Sequence, residues 1–257
     1  MKTACFIPIK ENSECVPGKN FRLLCGKKLY EHILEHVIAS NCFDDIFVDT
    51  NSDEIKEYAS SNGISVIERR AELAANTANG NDLLVYHRKL KSDYDFYFQL
   101  FATAPFLQSS TIAECVNLLS QSSAYDSVFT ATENHGFYWL NGNPMNYRPG
   151  ILPRSQDMQP VMEETTGLYG ICSNSLDKFQ CRIGKNPFVK VISKFEAVDI
   201  NTEEDLKVAE YIGCSYWHLG DMMNQCPDVH DFVHEGGGII ILFCTSLFTD
   251  FQTLEVA

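Results

Sequence analysis

The sequence predicts an α/β protein built on a mostly parallel sheet with helices on both faces. Short apolar runs alternate with helix-period segments from the N-terminus to about residue 210. Each run is bounded by turn residues, as strands buried inside such a sheet are. Ligands of a sheet of this kind are expected outside the carboxyl ends of its strands. The loop leaving the first apolar run carries Lys10, Lys19 and Arg22, three cations at one such end.

Composition bounds the problem. At 257 residues, 45% hydrophobic and 21% charged, the chain suits one large domain, or one domain with an appendage. Asp and Glu number 34 against 20 Lys and Arg, giving a net charge of -14. That balance argues against a general nucleic-acid surface and is compatible with a local anion pocket. The opening MKTACFIPIK is too soon interrupted by proline and lysine to read as a secretory signal, and no segment reaches membrane-spanning length. Ten cysteines without a CxxC pair point to reduced thiols and a cytoplasmic protein.

In order along the chain, Ala4 to Ile7 reads as a buried strand ended by Pro8, followed by a loop in which Pro17-Gly18 makes a turn. Tyr30, Ile33, Leu34, Val37 and Ile38 predict a helix over Leu29 to Ser40. Ile46 to Val48 is a second strand. Ser52 caps a helix running to Ser61, which Gly63 ends, and Ser65 to Ile67 is a third strand. A polar stretch from Glu68 to Gly80 leads to a helix over Asn81 to Leu90 and a strand over Phe96 to Leu100. Ile112, Cys115, Val116 and Leu119 mark a helix capped by Ser109 or Ser110, and Ser127 to Ala131 is a short strand.

From Thr132 to Thr165 the pattern breaks into a long Asn-, Gly- and Pro-rich stretch, too long for a mere connection. Strand patterns return at Gly167 to Cys172 and Phe188 to Ile192. Val198 to Asn201 then leads into a helix capped by Thr202, with Glu203, Glu204 and Asp205 in its first turn.

Several of these segments resemble one family. IPxKxxSxxVPGKN over Ile7 to Asn20, Gly26-Lys27-Lys28-Leu29, Val48-Asp49-Thr50 with Asp53-Glu54-Ile55, RRAELAANTA over Arg69 to Ala78, and VDINTEEDLKVAE over Val198 to Glu210 are similar, in order and spacing, to the motifs of acylneuraminate cytidylyltransferases. The resemblance covers residues 1–213 and implies a Rossmann-like nucleotidyltransferase (GT-A-like) fold with a dimerisation arm at 132–165. Residues 214–257 lie outside it, as a tail of structural or remnant character.

The chemistry the resemblance implies is transfer of CMP from CTP to the anomeric hydroxyl of a nonulosonic acid, with pyrophosphate leaving. Such catalysis is mostly positioning and charge neutralisation. Lys19 would hold the triphosphate, and Lys10 would stand where the family has arginine, keeping the charge without the bidentate fork. Ser13 and Asn20 would contact the nucleotide. Asp199 would coordinate Mg²⁺, whose hard-oxygen preference suits a carboxylate plus phosphates. The second aspartate of that motif is Asn201 here, an uncharged oxygen ligand; a strand-end turn and cap is the competing role of the pair.

Arg69 would lie near the cytosine or else be a loop charge. The family's QPTSP loop is altered to Gln99-Leu100-Phe101-Ala102-Thr103-Ala104-Pro105, so Phe101 stands at the base-reading glutamine and Gln99 two positions earlier on the same face. Arg154 would pair with the sugar carboxylate or be a surface arginine. Tyr138, Trp139 and Tyr147 would pack within the arm, which in the family joins a homodimer and closes the partner's sugar pocket, or supply aromatic contacts there.

Two histidine pairs at i, i+4 could in principle bind zinc: His32 with His36, where a solvated helical face is expected, and His230 with His234. Cys15 lacks an activating base. Two rival readings of function remain. One is activation of a Kdo-type octulosonate; the other is a non-catalytic sugar-nucleotide-binding homologue, motivated by Asn201 and the altered loop. A nicotinamide dehydrogenase is disfavoured, since no GxGxxG follows the first strand.

Overall fold

The computed structural model describes residues 1–13, 16–74, 78–151 and 153–213. The chain divides into two compact units, Met1–Glu210 and Tyr211–Ala257. His230, His234 and the tail at 214–257 fall outside the described residues, as does Cys15.

The first unit runs β1 (Thr3–Pro8), a short ribbon of β2 (Leu23–Leu24) and β3 (Lys27–Lys28), α1 (Leu29–Ser40), β4 (Asp45–Thr50), α2 (Asp53–Ser61), β5 (Ser65–Glu68) and a one-turn α3 (Ala71–Ala74). It continues with α4 (Gly80–Leu90), β6 (Phe96–Leu100), α5 (Ser109–Gln121), β7 (Ser127–Asn134), a second ribbon of β8 (Trp139–Leu140) and β9 (Asn143–Pro144), β10 (Val161–Cys172), α6 (Ser173–Phe179) and β11 (Pro187–Val191). A further helix begins at residue 203.

Seven strands form one sheet in the order β11-β7-β10-β6-β1-β4-β5. The pairs β1 with β4, β1 with β6, β4 with β5 and β11 with β7 are parallel, while β10 runs antiparallel to both β6 and β7. The expected mostly parallel sheet is therefore present, with β10 as its reversed strand. Alternation along β1 distributes its side chains to two cores. Cys5 and Ile7 join Ile33, Leu34 and Val37 of α1 and Ile112, Val116 and Leu119 of α5. Ala4 and Phe6 join Leu84 of α4 and Leu176 of α6 on the opposite face.

The local signals mostly hold. Ser52 Oγ accepts from Ile55 N, and Gly63 has φ +72° just past α2, where only a residue without Cβ is unstrained. Asn79 Oδ1 accepts from Asn81 N and Asp82 N while Asp82 Oδ2 accepts from Asn79 N, a reciprocal cap that starts α4 one residue earlier than expected. Thr202 Oγ1 accepts from Asp205 N, and Asp205 Oδ2 accepts from Thr202 N and Asn201 N.

Three expectations are corrected, and two helices are added. Neither Ser109 nor Ser110 caps α5: the N-cap is Gln108, without a side-chain cap bond, and the carboxylate of Glu196 takes that role by accepting from Gln108 N at 3.2 Å and Thr111 Oγ1 at 2.7 Å. The stretch 132–165 is not irregular throughout, because β7 continues to Asn134 and β10 begins at Val161, the two pairing before a register shift between Glu164 and Tyr169. His32 and His36 do not lie on a solvated face. His32 is buried with Nε2 against Leu24 O at 2.9 Å, and half-buried His36 bonds Leu107 O through Nδ1. Burial lowers the His32 pKa. Finally, α3 and α6 were not expected; each is too short for a periodic signal to stand out.

Candidate active site

Three loops meet at the carboxyl ends of β1, β5 and β6. After β1 the chain turns through Gly18, φ +61°, into a single turn of 3-10 helix that buries Lys19 and Asn20. Lys19 Nζ donates to Ile200 O at 2.8 Å, and Asn20 Nδ2 donates to Lys10 O at 2.8 Å. Ile200 N donates to Thr103 O at 2.9 Å, so the 199–201 segment is held from both sides.

A cavity of about 200 Å³ opens there, lined by Lys10, Ser13, Lys19, Asn20, Arg69 and Phe101 among others. Five predicted site residues thus share one wall. Two lysines and an arginine around a small concave site at strand ends suit an anionic ligand inside an acidic protein.

Arg69 is not a loop charge. It is 7% exposed and extends the β4–β5 ladder by donating its backbone N–H to Thr50 O. Its Nε donates to Asp49 Oδ1 at 3.0 Å and its Nη2 to Asp49 O at 3.0 Å. Asp49 Oδ2 accepts from His87 Nε2 at 2.7 Å. Burial alone would raise the Asp49 carboxyl; the His87 hydrogen bond and the charge and hydrogen bond of Arg69 outweigh it and hold Asp49 below the usual carboxylate range. An ionised carboxylate only accepts, so the His87 proton sits on Nε2. His87 Nδ1 is buried and has no partner among the described residues. Burial keeps the imidazole below its ordinary pKa, against the opposing pull of Asp49.

A second cavity, about 390 Å³, is lined by Asp199 and Asn201 of the 199–201 segment with Thr132, Asn134, Glu163, Glu164, Thr166 and Lys194 among others. Asp199 Oδ2 accepts from Thr166 Oγ1 and from Asn201 Nδ2, both at 2.7 Å, while Oδ1 is buried without a partner among the described residues. An orphaned carboxylate oxygen is costly unless something occupies it. Among the described residues no group of three or more His, Cys, Asp or Glu could hold a metal by itself. Mg²⁺ asks for less, one or two carboxylates plus phosphates and water, and Asp199 fits that demand.

Two candidates are placed elsewhere. Gln99 is fully buried, with Nε2 donating to Gly80 O at 3.0 Å, while Phe101, Ala102 and Thr103 of that loop line the cavity. Arg154 stands exposed in the arm, its Nε and Nη2 donating to Asp157 at 2.7 and 3.0 Å. In the same arm Tyr147 packs against Phe137 and Trp139, with ring centroids 5.1 and 6.0 Å apart.

The sequence reading missed Asp49, His87, Glu164, Thr166 and Lys194 as site-forming residues. A signal existed for two of them. Asp49 is a charge inside an apolar strand, and His87 shares the buried helical face of Leu83 and Leu84.

The model of the family described as cytidylyltransferase matches residues 4–143. The chain is 26% identical over 225 residues to N-acylneuraminate cytidylyltransferase A of Danio rerio, covering 84% of this chain and 52% of the relative. It is likewise 26% identical over 225 residues to pseudaminic acid cytidylyltransferase of Campylobacter jejuni, covering 82% of this chain and 96% of the relative. The chain therefore spans about half the length of the first relative and nearly all of the second. A solved structure of CMP:2-keto-3-deoxy-manno-octonic acid synthetase complexed with CTP shares the fold, with a TM-score of 0.62 at 15% identity over 84% of this chain and all of the other.

Proposed function

Because this chain belongs to the cytidylyltransferase family, we propose that it transfers CMP from CTP to the anomeric hydroxyl of a nonulosonic, sialic-acid-like acid. One observation supports the reading: Lys19 lines the smaller cavity and bonds Ile200 O, so a cationic cavity and the Asp199 cavity adjoin one backbone segment. Two substrates bound in these cavities would meet at that segment.

In this reading Lys10 and Lys19 take the triphosphate, Ser13 and Asn20 the nucleoside side of the pocket, and Arg69 presents a buried guanidinium to the nucleotide. The sugar hydroxyl oxygen attacks the α-phosphorus, the bond to the β-phosphate breaks, and pyrophosphate leaves with the electron pair while the hydroxyl proton passes to solvent. The larger cavity, walled by Thr, Asn and carboxylate side chains with Lys194, suits a polyhydroxylated acidic acceptor. Asp199, supported by Thr166 and Asn201, would hold Mg²⁺, which supplies neutralisation of phosphate charge.

The arm exposes Trp139 at 57%, Leu140 at 58% and Ile151 at 70%, which supports a homodimer built through it; in that dimer Arg154 would serve the partner's sugar cavity. Among the described residues no helix is long and apolar enough to cross a membrane, and Cys5, Cys25, Cys42, Cys115, Cys172 and Cys181 are free thiols. The free thiols support a cytoplasmic setting.

The test is pyrophosphate release from CTP and Mg²⁺ with a panel of sialic, legionaminic and pseudaminic acids, with Kdo alongside. Release with one of the first three is expected. Release with Kdo alone would move the substrate to the octulosonates, and no release with any acceptor would overturn the reading.

A further inference from the structure

We infer that Asp49 and His87 are positioning residues, a buried hydrogen-bonded relay that fixes the Arg69 guanidinium in one orientation for the nucleotide. The inference rests on the CTP reading above and deepens it. Neither residue lines the nucleotide cavity; both act through Arg69, which does.

The geometry is over-determined at each link. Two donors of Arg69, Nε and Nη2, both end on Asp49, one on its carboxylate and one on its backbone oxygen, so the guanidinium plane cannot swing. The other carboxylate oxygen of Asp49 is held by His87 Nε2, which stops the carboxylate from rotating about its own bond. His87 is locked in turn by stacking on Phe6, with ring centroids 4.7 Å apart and planes 9° from parallel. His87, Asp49 and Phe6 are each 0% exposed. With Nε and Nη2 turned to Asp49, the guanidinium meets the cavity through its remaining edge.

Stability alone does not account for this arrangement. A side chain on the inner face of α4, packed on Phe6 beside Leu84, could be wholly apolar. An imidazole there leaves Nδ1 buried without a partner among the described residues. What it supplies that leucine or phenylalanine cannot is a donor to the second oxygen of Asp49. A guanidinium already immobilised before the ligand arrives gives up little side-chain freedom on binding, which is how preorganisation raises affinity.

Direct CTP binding, measured by calorimetry on the whole chain, tests this with Asp49→Asn, His87→Phe, Arg69→Ala and the double variant Arg69→Ala/His87→Phe. Thermal unfolding is followed in parallel. His87→Phe keeps the stack on Phe6 and removes only the donor, and Asp49→Asn keeps the shape of its side chain. Each single variant is expected to weaken CTP about ten-fold. The double variant should bind no worse than Arg69→Ala alone, a non-additivity that general destabilisation would not produce. Additive losses, unchanged CTP affinity in folded His87→Phe and Asp49→Asn, or failure of both to fold would each overturn the inference while wild-type binding stands. A wild-type protein that does not bind CTP would overturn the CTP reading and this inference with it.

Discussion

Lys19 Nζ and the backbone oxygen of Ile200 lie 2.8 Å apart across 181 positions of sequence. This bond ties the opening loop to the segment that carries Asp199 and Asn201. It also orders an ammonium at the wall of the smaller cavity before any ligand binds, so in the proposed reading the charge needs no reorganisation when phosphate arrives.

Lys19→Met therefore removes a charge and a tie together while keeping most of the apolar stem. Turnover should fall by roughly 10²–10³ in kcat/KM for CTP, the scale on which single electrostatic contacts to developing charge act. The Ile200 carbonyl, on a fully buried residue, also loses its donor, so the midpoint of thermal unfolding should drop as well. Steady-state kinetics with a melting curve checks both. An unchanged kcat/KM would remove Lys19 from the site.

Asn201 donates its amide to Asp199 Oδ2 at 2.7 Å. Asn201→Asp would replace this hydrogen bond with two facing carboxylates, which repel unless a cation lies between them. The variant should melt lower than wild type in EDTA, recover with added Mg²⁺, and need less Mg²⁺ for half-maximal turnover. A melting temperature indifferent to Mg²⁺ would separate this pair from metal binding.

The buried His87 also makes stability depend on pH. Its folded-state pKa lies below the ordinary value because burial opposes its charge. The unfolded chain then takes up a proton that the folded protein resists. Stability is full above about pH 6.5 and is lost as pH falls from there toward the lower folded value. His32 shifts the same way for the same reason. The melting temperature should decline between pH 7.5 and 5, and His87→Phe should decline less steeply without becoming flat. Parallel slopes would show that His87 does not titrate in unfolding.

What the sequence alone determined was local. Apolar runs gave the strands of β1, β4, β5, β6 and β11, helix-period spacing gave α1, α4 and α5, Ser52 and Gly63 bounded α2, and short side chains at Ser52 and Thr202 gave caps that the structure contains. Each is decided within a few residues, by backbone sterics and nearest-neighbour hydrogen bonds, so each is written in a short window. The cationic loop at Lys10 and Lys19 was legible for the same reason: its three charges lie close in sequence at the end of one strand.

Only the tertiary structure decided which distant groups complete that loop. Glu196 caps α5 from 85 positions beyond Thr111, which no local cap signal at Ser109 or Ser110 could reveal. Arg69 is a buried, oriented cation and not a solvated one, because parallel pairing of β4 with β5 carries it beside Asp49, and α4 folds His87 onto the same carboxylate. A charge can be buried only where partners from other elements compensate its lost hydration, and those partners are set by the order of strands in the sheet and not by spacing along the chain.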